Sequence, residues 1–279
     1  MITGIIGFAL IIANVIISYR GFTSDIFFER YKFEVEKIVL YKDYKRILTS
    51  GFLHVSWLHL FFNMFSLYAF SGLVEATLGP LKFVVIYFAS LVCGNLLSLL
   101  VHKNDPEYSS VGASGAVCGI MFASIALFPG MSISFFGLLS LPSWIYGTLF
   151  IAFSIYAIRS GKNNIGHEAH LGGALIGMLI ALLMQPSAFV ENYITILLII
   201  VPSIIFIYLI ITRPYILFVD NLFYNEHKNY YSIDHKYNQE RNHTQQEIDK
   251  ILDKISRKGM KSLTKKERDT LKENSKKIR

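Results

Sequence analysis

The sequence predicts an all-α polytopic membrane protein: a six-helix core, a seventh C-terminal transmembrane helix and a soluble basic tail. Three observations predict it. Apolar residues make up 53% of the 279 and charged residues only 17%, where soluble domains carry about a quarter. Mean hydropathy is +0.43. The charge is also segregated. Residues 47–212 hold four Lys/Arg and five Asp/Glu, whereas 221–279 hold fifteen and nine. The basic pI therefore belongs mainly to the tail, and no nucleic-acid partner is expected. β-Barrel alternation is absent, which leaves helices as the spanning elements.

A bilayer core takes about 20 apolar residues per crossing. Seven stretches qualify: 2–19, 52–72, 81–101, 112–129, 142–159, 168–185 and 192–212. The first lacks a basic start and a small-residue cleavage site, so it reads as a helix rather than a secretory signal. The loop 20–46 mixes seven Lys/Arg and five Asp/Glu with Phe27, Phe28, Tyr31, Phe33, Val35 and Ile38, so it is expected to fold and lie partly at the interface. Gly79-Pro80 starts the third stretch, Pro129-Gly130 ends the fourth, Pro142 starts the fifth and Gln185-Pro186 ends the sixth. The expected organisation is a core over 1–189, an added transmembrane helix over 190–213 and a tail over 214–279. In the tail, Ile248, Ile251, Leu252 and Ile255 recur at helical spacing and Gly259 interrupts them. Ser262 to Glu267 resembles a capped helix start, giving a short hairpin at 245–275. Cys93 and Cys118 lie in apolar runs and read as small core residues, with no metal-ligand spacing, so neither a metal nor a cofactor is expected.

Polar residues inside spanning helices are costly and mark candidate sites. Three clusters stand out: His54, His59 and Asn63; Gly112-Ala-Ser114-Gly115; and His167-Glu-Ala-His170-Leu-Gly-Gly173. Ser114, placed three residues into the fourth helix between glycines, would lie beside unpaired N–H groups that favour negative charge. Taken alone, such a serine is more often a cap or packing residue. His170 could serve as its base, since alternating helices put both N-terminal ends on one side of the membrane. Packing is the plainer reading. His167 and Glu168 are expected to be solvated. His59 and Asn63, at i and i+4, share a face and offer N–H donors, for an oxyanion or for a neighbouring helix. His59 would lie about 12 Å below the helix mouth.

Together these residues resemble the rhomboid intramembrane serine proteases. The likeness covers roughly 1–185 and rests on His59-Leu-Phe-Phe-Asn63, Gly112-Ala-Ser114-Gly115 and Ala169-His170-Leu-Gly-Gly173, in order on the second, fourth and sixth helices. Gly72-Leu-Val-Glu75-Ala-Thr-Leu-Gly79 adds to it. The resemblance implies a Ser114–His170 dyad without a third acid. It implies an oxyanion site from His59, Asn63 and the Ser114 N–H, and transmembrane-protein substrates, single-pass or otherwise, in a lipid bilayer. It also implies a bacterial cytoplasmic membrane, with the site opening to the extracytoplasmic side. The positive-inside rule would choose the reverse orientation. Arg46 matches a family loop arginine. Lys45 stands where a tryptophan is usual, and Cys118 where a tyrosine often packs on the histidine.

Three functions compete: a membrane protease, a non-catalytic relative that binds or sorts membrane helices, and a channel or transporter. Ser114 and His170 favour the first. The third would carry more charge through several helices, or broken helices in paired repeats. For a short serine side chain to reach His170, the two helices must approach closely. Gly115 and Gly119 on the fourth, and Gly173 and Gly177 on the sixth, lie four apart just below each dyad member. These two faces are expected to pack together.

Overall fold

The computed structural model describes residues 4–135, 139–160 and 166–212, with Ile251, Lys254, Ile255 and Thr264 of the tail. The chain divides into a unit over 1–229 and a unit over 230–279. The expected hairpin at 245–275 lies almost wholly outside the described residues.

The first unit is helical. Helix α1 (Ile5–Thr23) is followed by α2 (Asp25–Tyr31), strand β1 (Phe33–Glu34), α3 (Val35–Val39) and α4 (Arg46–Thr49). Then come α5 (Trp57–Leu78), α6 (Pro80–Val101), β2 (Ser109–Ser110) and α7 (Ser114–Leu127). The hairpin β3 (Ser132–Phe135) and β4 (Leu139–Pro142) leads to α8 (Ser143–Ser160), α9 (His167–Met184) and α10 (Ser187–Thr212). Among the described residues, five helices, α1, α5, α6, α9 and α10, are long and apolar enough to cross a bilayer. The sequence predicts seven crossings; α7 is shorter, and α8 is the least apolar of the long helices. The protein is an integral multi-pass membrane protein.

Helix α7 sits at the centre. Every residue from Gly115 to Leu127 is buried, against α5, α6, α9 and the later helices. Its many small residues let neighbours approach on all sides. Its 14 residues give about 21 Å of length, short of the ~30 Å hydrocarbon core. It is thus too short to cross the core alone, and Ser114 is its first residue rather than its third.

Helix α5 also starts later than expected, because the Ser56 side chain accepts a bond from the His59 N–H and caps it. His59 thus lies in the first turn, not about eight residues below the mouth. The helix closes at Gly79, whose φ of 86° suits glycine, and Pro80 opens α6. The hairpin β3–β4 was not foreseen, and Pro142 ends a strand instead of starting a helix.

The loop 20–46 is folded, as its apolar residues imply. Phe33, Val35, Ile38 and Ile47 form a second small core, and β1 pairs antiparallel with β2. Buried Arg46 holds it together. Its Nη1 donates to the carbonyls of Glu29 and Lys32 at 2.9 Å each, and Nε to Asp43 at 3.0 Å. Lys45 takes an ion pair with Asp43 at 3.4 Å.

Glu75 of α5 caps another helix. Its carboxyl oxygens accept from the Ile6 and Gly7 N–H groups at 3.1 and 3.0 Å, satisfying donors that open α1. Glu75→Ala is expected to cost about 1.5–3 kcal/mol, read as a lower thermal midpoint in detergent. Glu75→Gln, which keeps one acceptor, should lose less. Equal midpoints for wild type and Glu75→Ala would refute the cap. Asn192 ties α10 to the core, its amide donating to the Ala126 carbonyl at 3.0 Å at the end of α7. Helical geometry breaks at that residue (φ −123°, ψ 19°).

Candidate active site

Ser114 opens α7, and His170 lies in the first turn of α9. Ser114 Oγ and His170 Nε2 are 2.7 Å apart. With the ring proton on Nδ1, the hydroxyl donates to Nε2, the arrangement a base needs to take its proton. Among the described residues no carboxylate lies within ion-pair distance of His170; Glu168 turns instead to His102, at 3.6 Å.

The approach rests on glycines. A Cβ added at Gly173 would strike the Gly115 backbone, and one at Gly177 the Gly119 backbone. The register Gly115–Gly173 and Gly119–Gly177 makes α7 and α9 parallel, with both N-terminal ends on one side. A third helix joins them, which the sequence reading missed. A Cβ at Gly119 would strike Ser90 of α6, and one at Gly94 of α6 would lie 2.5 Å from the Ala169 carbonyl. The only legible hint was small residues inside the apolar α6 run.

Gly112 has φ 140°, a left-handed conformation that favours glycine. A Cβ there would lie 3.0 Å from His59 Cε1 and 3.5 Å from Ser114 Oγ. The His59 ring edge therefore flanks the serine. Asn63 is buried. Its amide donates to the His59 carbonyl at 3.0 Å, and the second amide N–H remains for another acceptor. The first intrahelical bond of α7 runs from Val117 to Ala113, so the Ser114 N–H has no helical partner. Ser114, His170, His59 and Asn63 all line one cavity of ≈ 590 Å³.

His54, given no role from sequence, is fully buried. Its Nδ1 meets Ser18 Oγ at 2.8 Å, and its Nε2 accepts from the Ala113 N–H at 3.5 Å. The Ala113 N–H makes Nε2 an acceptor, and the contact holds the loop before Ser114. His167 and Glu168 are buried, not solvated. The His167 ring meets His170 edge-on at 5.4 Å. The gap left by Cys118 has a local answer, since Phe150 of α8 packs on His170 at 6.1 Å.

The match to known proteins follows the same residues. A family model described as the Rhomboid domain matches residues 41–187, just over half the chain. The chain belongs to the rhomboid family. It is 26% identical over 190 residues to RHOMBOID-like protein 12, mitochondrial, of Arabidopsis thaliana, covering 63% of this chain and 56% of that one. It is 30% identical over 158 residues to Rhomboid protein 1, mitochondrial, of Saccharomyces cerevisiae, covering 53% and 45%. It is 41% identical over 81 residues to Inactive RHOMBOID-like protein 8 of Arabidopsis thaliana, covering 29% and 23%. The chain thus spans about half the length, or less, of these relatives. Two of them are named mitochondrial, which lends no support to the expected bacterial membrane. Residues 231–277 match a family of unknown function (DUF6576).

Proposed function

We propose that this rhomboid is an intramembrane serine endopeptidase that cuts membrane-protein substrates in or near a transmembrane helix. The observation that carries the reading is the 2.7 Å contact of Ser114 Oγ with His170 Nε2, at the wall of a cavity inside a helical bundle. Residues 1–189 form the catalytic core, 190–213 an added helix and 214–279 a tail.

Ser114 Oγ attacks the scissile carbonyl while His170 Nε2 takes its proton. The developing oxyanion receives the Ser114 N–H and donors from His59 and Asn63, aimed where charge builds up. His170 then returns the proton to the leaving amine, and an acyl-enzyme forms on Ser114. Water, activated by the same imidazole, releases the second product. Residues of α2 and the turn after it, the loop before α5, α5 itself and residues 109–111 also line the cavity. Substrate chain unwound from its helix is held in this cavity.

One relative is named inactive, and a non-catalytic role as a helix-binding or sorting protein is the competing reading. The presence of both Ser114 and His170 in bonding contact argues against it. The test is purified protein in liposomes with a single-span reporter. Two sequence-defined fragments support the proposal, and an intact reporter with folded protein overturns it.

The oxyanion donors give a graded expectation. Asn63→Ala and His59→Ala should each lower kcat by about 10²–10³-fold, because the other donors remain. Steady-state rates on the same reporter read this out. Unchanged kcat in both variants and in their combination would remove these residues from the mechanism.

A further inference from the structure

We infer that Lys32 selects substrates that carry an acidic residue close to the cleaved bond, an inference that rests on the proteolytic reading above. Among the described residues lining the dyad cavity, Lys32 is the one with a formal charge. Besides the site residues His59, Asn63, Ser114 and His170, the others are small and polar, such as Ser56 and Ser110, or apolar, such as Phe28, Leu58 and Phe62. A cation in a concave, mainly apolar wall acts more strongly than one on an open surface.

The lysine is held in place. At the end of α2, its N–H donates to the Phe28 carbonyl at 2.9 Å. Its own carbonyl, with that of Glu29, is clamped by buried Arg46. Asp43 and Glu34 both face Arg46. The ammonium itself meets Glu29 Oε2 at 2.7 Å, and here exposure decides. The Lys32 side chain is 19% exposed, whereas Glu29 is 59% exposed. The pair therefore leans its anion toward solvent, where such contacts contribute little. An ammonium has three donors, so a substrate Asp or Glu entering the cavity can share or displace Glu29. A substrate Lys or Arg meets repulsion instead.

The test uses single-span reporters in liposomes, identical except for one Asp, Asn or Lys placed in turn at four positions on each side of the cleaved bond. The readout is the ratio of kcat/KM for Asp against Lys within one enzyme, which a general loss of activity leaves unaffected. At one or two adjacent positions wild type should prefer Asp by about tenfold. Lys32→Gln should remove the preference and Lys32→Glu should reverse it. High salt should shrink the wild-type ratio. Glu29→Gln should raise it, and serves if the Lys32 variants do not fold. A wild-type ratio near one at every position, or a ratio unmoved by both Lys32→Glu and Glu29→Gln, overturns the inference. Cleavage of the Asn reporter then shows that proteolysis itself stands; no cleavage of any reporter by wild type would overturn both.

Discussion

Replacing Ser114 by alanine is expected to stop reporter cleavage, with turnover falling by about 10⁴-fold or more. His170→Ala should do the same, and the double variant should be no worse than either single one. The hydroxyl and imidazole act as a unit: without the base at 2.7 Å the serine keeps its proton, and without the serine the base has nothing to activate. Losses that share one step do not add. Both variants should remain folded. Ser114→Ala removes one hydroxyl at the start of α7. His170→Ala leaves a void beside Phe150 and His167 while the glycine contacts that join α7 to α9 persist. Near-normal turnover in either single variant would contradict the dyad.

Gly173→Leu is the second large effect, and it should abolish activity through geometry alone. Any side chain there points into the Gly115 backbone, which cannot rotate aside as a side chain would. Overpacking usually costs about 1–3 kcal/mol. Here relief requires α9 to move off α7, carrying His170 away from Ser114. Gly119→Leu should also fail, although its first obstacle is Ser90 of α6, with the Gly173 carbonyl at 3.1 Å behind it. Cleavage and serine labelling should fall together. Enlarging an outward-facing position of the same helix, Leu183→Phe, where the side chain is 80% exposed, should change neither. Full activity in the glycine variants would show that the close approach of α7 and α9 is not what seats the dyad.

The sequence carried the helices through apolar run length, and their ends wherever a glycine or proline stood at the true boundary, as at Gly79-Pro80 and Gln185-Pro186. Ends set by other chemistry were misread. Ser56 caps α5 after an apolar approach from Gly51 to Val55, so hydropathy alone placed the start too early and His59 too deep. Likewise α7 begins at Ser114 because Gly112 turns the chain, and no hydropathy pattern records a dihedral angle. Ser114, His170, His59 and Asn63 were legible as polar residues in apolar runs. His54 was visible by the same rule, but its bonds to Ser18 and Ala113 are long-range and have no local signature. The same holds for Phe150, whose contact with His170 depends on how α8 packs, and for Ser90 and Gly94, which look like ordinary small residues of an apolar helix. His167 and Glu168 were expected in water because of their nearness to a loop. Burial beside His102 depends on how residues 102–110 fold back, which spacing does not encode.

The most direct measurement is to expose the purified, membrane-reconstituted protein to a fluorophosphonate and locate the adduct by mass spectrometry. An activated serine reacts and an ordinary hydroxyl does not. The expected result is one adduct on Ser114, absent in His170→Ala and weakened in Gly173→Leu. An adduct on another serine, or an unlabelled Ser114 in folded wild-type protein that resists every fluorophosphonate concentration, would contradict the assignment of Ser114 as a nucleophile activated by His170.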